Sequence, residues 1–124
     1  MSEQMLDLYV ICHTDDHGPR APTKVGISKS AAGRIGTLQT ASAYQLSLYE
    51  FWRMPAFMAT DFEKLYHAFG SETGSRLKGE WHDVAPNEAC EYVEIALSAA
   101  FKHFGIARPR PYMGELRQHA GAND

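Results

Sequence analysis

The sequence predicts one α+β domain, residues 1–105, followed by a tail, residues 106–124. Strand-forming apolar runs recur at 5–12, 23–27 and 45–53, helical periodicity appears between and after them, and a long helix with clear end signals occupies 86–104. With 124 residues, 44% hydrophobic and 22% charged, the chain has the ordinary balance of a single globular domain. A chain this long buries roughly two-thirds of its unfolded surface, so its core needs no metal or disulfide staple.

Met5 to Cys12, MLDLYVIC, is a β-branched and aromatic run that suits a mostly buried strand. His13 to Pro22 breaks the pattern with Gly18 and two prolines. Thr23 to Ile27 resumes as a short strand, so the two form a hairpin; Gly26 in its interior marks a bulge or a close backbone approach. Ser28 or Ser30 caps a helix to about Gln39, with Ala31, Ile35 and Leu38 on one face. Gly33 and Gly36 weaken that helix by about 1 kcal/mol each relative to alanine. Gln45 to Arg53, QLSLYEFWR, is the third strand.

Thr60 opens a second helix through a capping box completed by Glu63; Phe62, Leu65, Tyr66 and Phe69 form its apolar stripe, and Gly70 ends it. Glu80 to Val84 is a short extended segment after a polar loop. The last helix starts at Pro86, an accepted first-turn proline, and carries Ala89, Val93, Ala96, Leu97, Ala100 and Phe104 on one face. Glu88 and Glu91 near its start, and Lys102, His103 and Gly105 near its end, agree in dipole and capping sense. Its Ala/Phe-rich face can pair with a copy of itself, giving a homodimer through the C-terminal helix.

Cys12 and Cys90 lie in apolar stretches without a second cysteine at metal-ligand spacing, and read as buried free thiols of a reducing compartment. The stretch Met1 to Gln4 is polar and acidic, and no apolar run approaches the ~18 residues of a membrane span, so the expected location is cytoplasmic. A net charge of −3 argues against nonspecific coating of nucleic acid by a long basic surface. The charge is uneven: Lys24 to Lys78 holds seven basic against four acidic residues, while 1–23 holds one against four and 79–107 one against five. An anionic partner therefore meets the middle of the chain, where Lys24, Lys29, Arg34, Arg76 and Lys78 are the candidate nucleic-acid contacts. The plainer reading is that these charges solvate loops and helix backs.

Helical spacing places Glu63 and His67 on the flank of the second helix's apolar stripe and Arg34 beside the stripe of the first. Tyr9 and Lys24 on adjoining strands can converge with them. Phosphodiester hydrolysis requires this inventory: a carboxylate for a divalent cation, a fixed cation for the phosphate, and a base or positioner for water. Each residue also has an ordinary role. Glu63 is half of a capping box, Arg34 can snorkel over the core or pair with Glu63, Tyr9 suits a strand with its hydroxyl at the surface, and Lys24 suits a strand edge.

Taken in order, DLYVI, then KVGIS, then an arginine followed by Leu38-Gln39-Thr40, then FEKLYHAF and GEW, the sequence resembles the GIY-YIG nuclease superfamily. More narrowly, it is similar to the small phage- and bacterium-associated branch whose second motif begins with lysine. The resemblance spans about residues 6 to 84. It implies a small, mainly antiparallel three-stranded sheet flanked by helices, and a metal-dependent endonuclease that hydrolyses phosphodiester bonds in DNA. Carried over residue by residue, Tyr9 positions or deprotonates the attacking water, Arg34 contacts the scissile phosphate and Glu63 holds one divalent metal, Mg²⁺ or Mn²⁺. Lys24 stands where most members have tyrosine and shares the neutralisation of the phosphate, and His67 assists. Asp7 stands where the first motif has glycine, on the strand face of Tyr9. The alternative reading is a catalytically silent module of the same fold that binds nucleic acid or a protein partner.

Overall fold

Alternation along the first strand decides the layering. In the computed structural model, which describes residues 4–13, 22–42, 45–74, 80–104 and 111–112, strand β1 spans Met5–His13. Leu8 and Val10 face one hydrophobic cluster while Tyr9 and Ile11 face another, so helices must cover both sides of the sheet. The remaining elements are β2 (Thr23–Ser28), α1 (Ala31–Thr40), β3 (Leu46–Pro55), α2 (Ala56–Thr73), β4 (Trp81–His82) and α3 (Pro86–Phe104). The larger cluster joins Leu8, Val10, Val25, Trp52 and Met54 of the sheet to Met58, Ala59 and Phe62 of α2 and to Ala89, Val93 and Leu97 of α3. The smaller joins Tyr9, Ile11 and Leu46 to Ala31, with Ile35 and Leu38 of α1 packed against it.

The α+β class and the β1–β2 hairpin pairing agree with expectation, but the sheet has four strands, not three, in the order β3-β1-β2-β4 with every pairing antiparallel. The additional strand pairs only Trp81 with Lys24 and His82 with Thr23. Two residues carry no readable alternation; what makes them a strand is the edge of β2, whose backbone groups need partners.

Ser30 caps α1 as the sequence suggests, its hydroxyl accepting from the Gly33 amide at 3.1 Å. α2 begins four residues before the expected start: Thr60 lies inside the helix and its hydroxyl donates to the Ala56 carbonyl at 2.9 Å. No capping box forms, and Glu63 is released from that role. The helix passes Gly70 and stops at Gly74, whose φ of 78° is the left-handed conformation that glycine adopts without strain. α3 has the expected bounds, and its expected apolar face, Ala89, Val93 and Leu97, packs into this chain's own core while Tyr92 and Ile95 are exposed. Part of the tail docks on β3: Pro111 bridges to Trp52, and the Tyr112 ring stacks on Phe51 at 4.9 Å. Among the described residues no helix is long and apolar enough to cross a membrane.

Candidate active site

The β1–β2 register sets Tyr9 directly opposite Gly26. Tyr9 is buried, and its ring fills the space a side chain at position 26 would need. A Cβ there would lie 2.7 Å from Tyr9 Cζ and 2.7 Å from a Glu80 carboxylate oxygen, closer than carbon approaches without displacing its neighbours. The interior glycine is therefore a close-approach position, holding the phenol and a carboxylate over bare backbone.

The edge of β2 organises the rest. In an antiparallel strand alternate amides point to the same edge. The Val25 amide donates to the Glu80 carbonyl at 3.3 Å, continuing the β4 pairing by one residue. Two residues on, the Ile27 amide donates to the Glu63 carboxylate, so a side chain of α2 takes over where β4 has ended. The Glu63 and Glu80 carboxylates lie close enough to act on one another, Tyr9 donates its hydroxyl to Glu80, and the Lys24 ammonium lies 3.1 Å from Glu80 Oε2 and over the Trp81 ring.

One turn along α2 from Glu63, His67 is buried with its Nδ1 2.8 Å from Nε2 of fully buried His82, the two rings nearly parallel at 17°. Tyr66 packs its ring edge-on against His82 at 4.7 Å. One ligand atom each from Glu63, His67 and Glu80 all lie within 4.8 Å of one another, compact enough for a single divalent cation.

Burial holds the Tyr9 hydroxyl well above the ordinary tyrosine value; the negative charges of Glu80 and Glu63 push it further and the positive charge of Arg34 opposes them. Tyr9 is thus a hydrogen-bond donor, and its phenolate is disfavoured. Burial also raises the Glu63 carboxyl, and the neighbouring Glu80 carboxylate adds to the rise, against the Ile27 amide and the Lys24 charge.

The structure brings together four of the five expected site residues, Tyr9, Lys24, Glu63 and His67. Arg34 stands on the exposed side of α1 near enough for its charge to act on Tyr9. Lys29 is exposed at the approach to α1, and Arg76 and Lys78 lie outside the described residues. Asp7 does share the face of Tyr9, but its carboxylate is spent on structure. It accepts from the Ala31 amide at the start of α1 at 2.8 Å and from Arg53 Nε at 2.9 Å. Sequence reasoning missed Glu80 and His82. The GEW segment carried a signal for Glu80, but its role depends on β4 docking beside β2; the pairing of His82 with a helix residue fifteen positions earlier leaves no local trace. No family model, curated protein or solved structure matches the chain.

Proposed function

We propose that the chain is a GIY-YIG-type endonuclease that hydrolyses phosphodiester bonds in DNA with a divalent metal, Mg²⁺ or Mn²⁺. The observation that carries the reading is the convergence of Tyr9, Lys24 and Glu63, from two strands and a helix, on Glu80, whose carboxylate lies with Tyr9 over the backbone of Gly26. Such a donor set fits a divalent cation, which when bound supplies charge stabilisation at the phosphoryl oxygen and lowers the pKa of water. Glu63 is the residue best placed to hold it, fixed by the Ile27 amide. Tyr9, kept protonated by burial and by Glu80, orients the nucleophile through its hydroxyl and is not the base. Arg34, exposed on α1, meets the phosphate, and Lys24 balances the carboxylates and approaches the DNA backbone beside Lys29.

The test is nicking of supercoiled plasmid in Mg²⁺ or Mn²⁺ by the wild type, Glu63→Gln and Arg34→Ala. Losing one charge that stabilises the transition state is expected to cost on the order of 10²-fold in rate. Equal rates in all three proteins would assign the activity to a contaminant. The silent-module reading draws support from the Lys24–Glu80 ion pair, which spends one cation inside the protein. Salt-dependent DNA binding without cleavage in any metal would favour it.

A further inference from the structure

We infer that the cation is held by three protein groups, the carboxylates of Glu63 and Glu80 and Nε2 of His67, and that the imidazole makes the site select a first-row transition metal over Mg²⁺. The inference rests on the metal-dependent part of the reading above and goes beyond a single carboxylate ligand.

Geometry supplies the ligand set. Glu63 and His67 are four residues apart on α2 and so share a face, and Glu80 reaches the same point from the turn before β4, with a carboxylate oxygen of each glutamate and a ring nitrogen of His67 within 4.8 Å of one another. His67 is buried, and the group behind it fixes its chemistry: its Nδ1 is 2.8 Å from His82 Nε2, so when Nδ1–H donates, the lone pair of Nε2 is directed away from His82. His82 in turn is fully buried, stacked on His67 and braced by Tyr66. The arrangement is that of a metal-ligating histidine oriented by a second polar group. Gly26 completes it by leaving the Glu80 carboxylate space that any side chain would take.

Donor chemistry then selects the ion. Mg²⁺ favours oxygen ligands, keeps several waters and gains little from an imidazole. A mixed nitrogen and carboxylate set binds transition divalent ions more tightly, in the order Mn²⁺ below Co²⁺.

The experiment uses the full chain without DNA. Mg²⁺, Mn²⁺ and Co²⁺ are titrated calorimetrically, and the spin-echo modulation of bound Mn²⁺ is recorded for coupling to ¹⁴N. The expected result is affinity rising from Mg²⁺ to Mn²⁺ to Co²⁺, at least about tenfold between the first two, with nitrogen coupling in the wild type. In His67→Gln the coupling vanishes and Mn²⁺ affinity falls by about 100-fold, while the already weak Mg²⁺ binding changes little; in His82→Gln the fall is about tenfold. Equal affinity for Mg²⁺ and Mn²⁺, or bound Mn²⁺ without nitrogen coupling in the wild type, overturns the inference even if a variant fails to fold. Nitrogen-coupled Mn²⁺ in a protein that never cuts DNA upholds the ligand set and removes the nuclease; cleavage without nitrogen coupling does the reverse.

Discussion

Single residues carry the sharpest consequences. Gly26→Ala places a methyl group against Tyr9 and Glu80, so it is expected to destabilise the fold by about 1–3 kcal/mol, as overpacking does, and to spread the site. Denaturant unfolding and plasmid nicking on the same variant check both effects; a stable, fully active Gly26→Ala would refute the close approach. Asp7 is the second case. It is buried with bonds to the Ala31 amide and the Arg53 guanidinium, whereas Arg53 reaches solvent. Asp7→Ala is therefore expected to cost about 2–3 kcal/mol in denaturant unfolding by stranding the buried Ala31 amide, and Arg53→Ala a comparable amount by leaving the buried Asp7 carboxylate without its cation. Glu63 gives a pH prediction. Its folded carboxyl is raised above the ordinary value of 4.5, first by burial and then by Glu80. Between the unfolded and folded values the native state holds more protons, so this group's contribution to stability falls as pH rises through that window. Glu63→Gln should therefore make the metal-free protein more stable than wild type at neutral pH, with the advantage disappearing below about pH 4, where the unfolded carboxyl is also protonated. Unfolding in a chelator at both pH values measures it, and an unaltered or lower midpoint at neutral pH would contradict the environment described.

Among the elements, α3 was the most legible because proline, glutamates and glycine punctuate it and its apolar face repeats for five turns. Its faces have different uses. Leu97 is buried in the core and Ile95 is 68% exposed, so Leu97→Ala is expected to cost about 2–5 kcal/mol while Ile95→Asp leaves stability nearly unchanged. Thermal unfolding compares the two, and sedimentation of Ile95→Asp shows whether that exposed side holds copies together; a homodimer through α3 would be weakened by it. The expected start of α2 differs because Thr60-Asp61-Phe62-Glu63 imitates a capping box, while the helix begins directly after Pro55 at the end of β3. Strand β4 falls within the extended segment expected at Glu80 to Val84, but its place in the sheet was not legible. Two residues hold no period, and only docking on β2 makes them a strand.

Over the whole molecule, Tyr9, Lys24, Arg34, Glu63 and His67 each suit an ordinary role when read singly and become legible as a candidate site only together. Sequence order drew them together and the structure places four of them at one sheet edge. The illegible part is long-range. Glu80 joins through the β2–β4 pairing, His82 through stacking on His67, and Asp7 turns from a charge facing the site into a tie between β1, β3 and α1. The central claim is that this edge holds a catalytic cation, and diffraction from crystals soaked in Mn²⁺ tests it most directly. The expected result is an anomalous difference peak bonded to Glu63, within reach of the Tyr9 hydroxyl and on the side from which Arg34 approaches. Crystals that take up Mn²⁺ elsewhere and show no peak at Glu63 would contradict it.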